Sequence, residues 1–215
     1  MCRLLAVQSP VAIDIAPLLS GFALVARRSR EYQGHGWGCA FRAKGRWEIH
    51  KSIRPIWEDV LPDLPRTRLL VAHARSAFRD GGIRVENNMP FSDGTNVFAF
   101  NGELRGVRIR ERGRIGAEKV FNFIKRFENG RGMENALRRA TRIIEKRTDY
   151  VRAMNLILSD GQSVLVHSRF TEDAEYFTMH YRRREPREPL VVCSEPIPGR
   201  DGWVPIGNGE TCRFP

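Results

Sequence analysis

Two helix-patterned segments, 116–128 and 133–147, sit in the middle of a chain whose flanks on both sides read as strands. Their apolar residues recur at helical spacing, and the joint Asn129-Gly130-Arg131-Gly132 supplies glycine where a helix end needs a left-handed residue. Ahead of them, apolar runs at 2–7, 37–42, 47–51, 68–74 and 96–100 read as strands. The second and third form a hairpin about Lys44-Gly45, and Asn101-Gly102 stops the last. One helical pattern, 12–28, interrupts that half, with Pro17 limiting its first turn. Strand patterns return after Arg152, at 154–158 and 163–167 around Ser159-Asp160-Gly161-Gln162, then at 174–181 and 189–193. This order of strands, helices and strands argues against regular βαβ alternation and predicts an α+β layered fold.

With 215 residues, 41% of them hydrophobic, and no Pro/Ser/Gly-rich linker, the chain is expected to form a single domain over 1–215. No stretch is long and apolar enough to span a membrane, and the front lacks the order of a signal peptide. Residues 11–26 are fairly apolar, but Asp14 and Pro17 interrupt them, so a cytoplasmic protein is the expectation. The cysteines Cys2, Cys39, Cys193 and Cys212 form no C-x-x-C, and His50, His167 and His180 have no spaced partners; no metal and no cofactor is expected. Cys39 and Cys193 lie in apolar runs and read as core. The net charge is +11, and of 36 basic residues 31 are arginine, gathered at 105–114, 138–152 and 182–187. Without zinc-ligand pairs, an RNA-recognition aromatic motif or stacking aromatics in those stretches, they read as solvated surface rather than a nucleic-acid site.

Cys2 is the residue whose position suggests chemistry. Removal of Met1 would place a thiol and a free α-amine on one residue: the thiolate attacks, and the amine, which titrates near neutrality, takes and returns the proton. By position alone a packed small hydrophobe is the favoured reading. Arg75, with Ser76 beside it, ends an apolar strand in His73-Ala74-Arg75-Ser76-Ala77-Phe78. Its guanidinium suits either a substrate carboxylate or an internal ion pair. Asn101-Gly102 is by frequency a turn; in the alternative reading the side-chain amide and the glycine N–H are two donors for an oxyanion. Gly34-His35-Gly36-Trp37-Gly38 reads as a loop entering a strand, close to a cleft.

These residues resemble the class II glutamine amidotransferases, of the N-terminal nucleophile (Ntn) hydrolase type, and within them a compact stand-alone branch. The shared order is Met1-Cys2-Arg3-Leu4-Leu5-Ala6, Gly36-Trp37-Gly38, His73-Ala74-Arg75, Asn88-Met89-Pro90-Phe91 and Phe100-Asn101-Gly102-Glu103-Leu104. It continues through Met154 to Gly161, Val192-Cys193-Ser194-Glu195-Pro196 and Trp203-Val204-Pro205. The resemblance implies a four-layer αββα sandwich, two antiparallel sheets between helical layers. It implies that Cys2 attacks the side-chain amide of glutamine or of a γ-glutamyl compound, that Asn101 and Gly102 hold the oxyanion, and that Arg75 clamps the α-carboxylate. A γ-glutamyl thioester is then hydrolysed, and a separate ammonia-accepting synthase would be another polypeptide. Three departures stand out. Gly116 occupies the family's amine-binding aspartate position, leaving Glu118 two residues on as the nearest substrate-binding acid; Phe100 replaces the histidine before Asn-Gly; and Met89 replaces a histidine before Pro90. A catalytically reduced relative kept for binding or regulation, and a polyanion-binding protein, are the alternatives.

Overall fold

A computed structural model describes the chain apart from Pro62, 78–81, Arg131, Arg184 and Pro186. Phe78 of the arginine signature, Arg131 of the helix joint and part of the 182–187 basic cluster thus lie outside the described residues. In chain order the elements are β1 (Arg3–Ile13), α1 (Ala16–Arg28), β2 (Trp37–Ala43), β3 (Arg46–Ser52), β4 (Thr67–Ala74), β5 (Phe91–Ser92) and β6 (Val97–Arg105). There follow α2 (Gly116–Lys125), α3 (Met133–Lys146), β7 (Tyr150–Ser159), β8 (Val164–Ser168), α4 (Ala174–Phe177), β9 (His180–Arg182), β10 (Leu190–Cys193), β11 (Val204–Pro205) and β12 (Glu210–Phe214). They build two antiparallel sheets, one in the order β11-β9-β10-β1-β4-β2-β3 and one in the order β12-β8-β7-β6-β5.

Period-2 alternation with apolar residues on both faces explains why the sheets stack between helices. On β1 and β4, Leu5, Val7, Leu70, Ala72 and Ala74 pack under α1 with Leu18, Leu19 and Phe22. Their alternate neighbours Leu4, Ala6, Leu69 and Val71 join the core that includes β6 and β7. On the far side α2 and α3 bury Phe121, Ile124, Leu137 and Ile144 in that same core, and the Phe121 ring stacks on Phe98 of β6 with centroids 5.1 Å apart. Full burial of one such side chain contributes about 1.5–3 kcal/mol. The result is the four-layer αββα sandwich. Among the described residues no helix is long and apolar enough to cross a membrane.

Three local expectations are corrected. The first strand runs on to Ile13, and α1 begins only at Ala16, because the Asp14 carboxylate accepts the Ala16 N–H at 2.9 Å and Pro17 suits a helix start. Asn101-Gly102 does not end its strand: β7 is long enough to pair both residues, opposite Asn155 and Met154. The 174–181 segment is not one strand but the short helix α4 followed by β9. The helix joint does carry left-handed glycines, with φ of 77° at Gly130 and 82° at Gly132.

His73 on β4 and His167 on β8 are buried, and burial above all pushes their imidazoles down from 6.5 to about 3 and about 4. Because the folded values lie below the unfolded one, the unfolded chain takes up protons first as pH falls. The stability these neutral rings contribute is complete above pH 6.5 and is lost progressively below it. The thermal midpoint is therefore expected to decline as pH drops from 6.5 toward 4, less steeply in His167→Gln. A midpoint constant over that interval rejects the assignment.

Candidate active site

Cys2 stands immediately before β1, whose first residue Arg3 pairs with Ala74 at the end of β4. The chain after β4 continues the ladder: Arg75 N–H donates to the Gly36 carbonyl at 2.9 Å, and His35 N–H to the Arg75 carbonyl at 3.1 Å. The Ala77 N–H donates to His35 Nδ1 at 2.8 Å, so His35 fastens this loop. Cys2 Sγ donates to the Ser76 carbonyl at 3.7 Å, which puts thiol, Arg75 and Ser76 side by side. Alternation along β1 places Cys2 on the face shared with Leu4 and Ala6, toward the five-stranded sheet.

Arg75 is 6% exposed, and its Nη1 donates to Asn88 Oδ1 at 3.0 Å. Asn88, fully buried, donates in turn from Nδ2 to the Ser52 carbonyl at 2.6 Å. Among the described residues Arg75 has no carboxylate partner, so the internal ion pair that the sequence left open is not found there. A buried guanidinium held in place by a neutral amide is suited to an incoming anion. Burial lowers its pKa somewhat, opposed by the nearby Cys2.

Asn101 and Gly102 come from the opposing sheet. Phe98 faces α2, so Asn101, three residues on, faces the seven-stranded sheet. Asn101 is fully buried, and among the described residues neither its Oδ1 nor its Nδ2 has a hydrogen-bond partner. Leaving such groups unpaired costs about 1–3 kcal/mol. The Phe100 N–H, on the β6 edge away from β7, donates to Met89 Sδ at 3.2 Å. By strand alternation the Gly102 N–H points from that same edge, past the end of β5, into the cavity that Gly102 lines. Only glycine fits here: a Cβ at 102 would lie 2.2 Å from the Ala153 carbonyl oxygen and 2.6 Å from the Phe100 ring. Gly102→Ala is expected to destabilise the fold by about 1–3 kcal/mol, read as a lowered denaturant midpoint. An unchanged midpoint would show that β6 yields more easily than its pairing implies.

Cys2, Arg75, Ser76 and Gly102 line one cavity of about 1030 Å³, with Gly116, Ala117 and Lys119 of α2 on another wall. Around the position a Gly116 Cβ would take there is nothing within 4 Å. Glu118 does not join them: its carboxylate is turned to Arg114, with Nη2–Oε1 at 2.6 Å, and does not line the cavity. The expected substrate-binding role of Glu118 is therefore not supported by its placement; helical spacing carries it to a different side from Gly116.

The surroundings of Met1 were not visible in the sequence. The terminal ammonium pairs with Glu31, and the Met1 carbonyl accepts from Gln33 Nε2 at 2.6 Å and from the Tyr176 hydroxyl at 2.8 Å. Arg152 reaches Glu31 at 3.5 Å, Glu103 at 3.4 Å and Asp173 at 2.7 Å. Burial raises the Cys2 thiol pKa above its ordinary value, partly offset by the terminal ammonium, a Ser76 backbone hydrogen bond and Arg75. A thiol so placed needs a base to become a nucleophile.

The family described as glutamine amidotransferases class-II matches residues 1–197. Among curated proteins no match was found. A glutamine aminotransferase class-II domain protein from Silicibacter pomeroyi superposes with a TM-score of 0.68 at 19% identity, over 99% of this chain and 94% of that one. A predicted glutamine amidotransferase from Pseudomonas aeruginosa gives 0.66 at 16%, over 99% and 97%. The glutamine phosphoribosylpyrophosphate amidotransferase from B. subtilis, complexed with ADP and GMP, gives 0.72 at 15%, over 99% of this chain but 47% of that one. At these identities the structures speak for the fold. With the family match spanning most of its length, the chain belongs to the class II glutamine amidotransferases.

Proposed function

We propose that this protein is an amidohydrolase whose nucleophile is Cys2 after loss of Met1, acting on glutamine or a γ-glutamyl compound. The observation that carries the reading is one cavity bordered by Cys2, a buried Arg75 lacking a carboxylate partner among the described residues, and Gly102, whose neighbour on β6, Asn101, has an amide without a hydrogen-bond partner among them. Arg75, with Ser76 beside it, holds the substrate α-carboxylate. The Cys2 α-amine takes the thiol proton, and Sγ bonds to the amide carbon. The oxyanion is received by Asn101 Nδ2 and the Gly102 N–H. The C–N bond then breaks, and the departing nitrogen leaves with the proton from the Cys2 amine. Water attacks the resulting thioester, releasing the γ-carboxylate and restoring the thiol. Where ammonia is the leaving group, a synthase on another polypeptide is its acceptor.

Gly116 gives no carboxylate to a substrate α-amine and leaves open space in its place. Substrates whose α-amine is acylated are therefore expected to be hydrolysed at rates comparable to those with a free amine. The test is a hydrolysis screen over glutamine and γ-glutamyl amides, free and N-acylated, on protein whose loss of Met1 is verified by intact mass. Glutamate or N-acylglutamate release supports the reading. No turnover from Met1-free protein would falsify it.

A further inference from the structure

We propose that the recess occupied by Met1 becomes, once Met1 is removed, the subsite for the leaving group, and that it takes an amine bearing a second, positively charged nitrogen on an apolar body. This rests on the reading of Cys2 as the N-terminal nucleophile. Met1 is bonded to the nitrogen of Cys2, the atom that hands a proton to the departing amine in that mechanism. A group filling the place of Met1 is therefore next to the departing nitrogen.

The walls of the recess define its ligand. Glu31 turns one oxygen, Oε1, toward Arg152 and the other, Oε2, to the Met1 ammonium. Excision of Met1 leaves Oε2 facing the cavity, in which Glu31, Glu103 and Arg152 share the lining with Cys2 and Arg75. Arg152 braces Glu31 and Glu103 together, which keeps the carboxylate in position without occupying Oε2. The Met1 side chain packs against Ala153, Phe170, Tyr176 and Phe177, an apolar wall that would stand bare afterwards. Gln33 and the Tyr176 hydroxyl, which hold the Met1 carbonyl, offer polar contacts between the two, and the buried Gln33 Oε1 has no partner among the described residues. Ammonia leaving from glutamine would use none of these groups. The γ-glutamyl amide of an amine with a distal ammonium would use them all: its C–N bond breaks, the nitrogen leaves with the proton from the Cys2 amine, and the distal ammonium stays paired with Glu31 throughout.

Two measurements on protein shown by mass to lack Met1 test this. In the first, L-methioninamide is titrated into the Cys2→Ala protein, with N-acetyl-L-methioninamide as the uncharged control. The amide with the free ammonium is expected to bind at least ~10-fold more tightly, and Glu31→Gln to erase the difference. In the second, the active protein is given the γ-glutamyl amides of 1,3-diaminopropane and of butylamine. A preference in kcat/KM of at least ~10-fold for the diamine, collapsing in Glu31→Gln, supports the subsite. Hydrolysis without that preference, or a Glu31→Gln variant that slows both amides equally, overturns it; in the latter case Glu31 orients the Cys2 amine instead. Selective methioninamide binding without hydrolysis of any amide keeps the amine site and sinks the nucleophile reading. If Glu31→Gln fails to fold, the two wild-type preferences decide the matter alone.

Discussion

Cys2→Ala is expected to lower amide hydrolysis by about 10⁴-fold or more. Arg75, Asn101 and Gly102 can bind and polarise an amide, but none of them is a nucleophile. The same silence is expected from protein that keeps Met1. In that form the nitrogen of Cys2 is an amide without basicity, and burial has already raised the thiol pKa. Amide hydrolysis assayed alongside intact mass checks both arms, and a glutamine-like electrophile should label Cys2 only in the trimmed form. Retention of more than a hundredth of the rate by either variant, or labelling of Cys39 instead, counts against the mechanism.

Replacing Asn101 is expected to cost about 10²–10³ in kcat, roughly 3–4 kcal/mol of barrier, with little change in KM. Its amide would meet the oxyanion, which exists only along the reaction path, and it makes no hydrogen bond to another described group in the resting protein. That isolation has a second, opposite effect. Asn101→Leu removes two unpaired buried polar atoms and adds apolar volume of similar size, so its thermal midpoint should equal or exceed that of the parent. Loss of rate with unimpaired stability identifies a catalytic group. A variant that unfolds early would instead show Asn101 to be structural, paired through contacts with water that the protein groups do not reveal.

Much of the layered fold was legible because it depends on local periodicity. Leu4, Ala6 and Leu5, Val7 alternate between two cores, and the helical stripe of 116–147 faces only one. What misled was short-range frequency. Asn-Gly is a turn in most chains, yet β7 supplies Asn155 and Met154 opposite it and the strand continues. At 174–181 the apolar content suits a strand, but Asp173 adopts φ of 50° and a turn of helix follows. Motif order singled out Cys2, Arg75 and Gly102, which the structure brings to one cavity, and Asn101 beside Gly102 on β6. The clasp on the N-terminus was not, because Tyr176 lies 175 residues from Met1 and Gln33 lies in a loop without periodicity. Glu118 shows the converse: an acid of the right type, near the right position, already satisfied by Arg114 four residues earlier.

The clasp also sets a clock. The Met1 side chain is 9% exposed and its carbonyl is held from two sides, so removing this residue from the folded protein has to undo its contacts with Gln33 and Tyr176. Trimming of the emerging chain, before the clasp has formed, avoids that step.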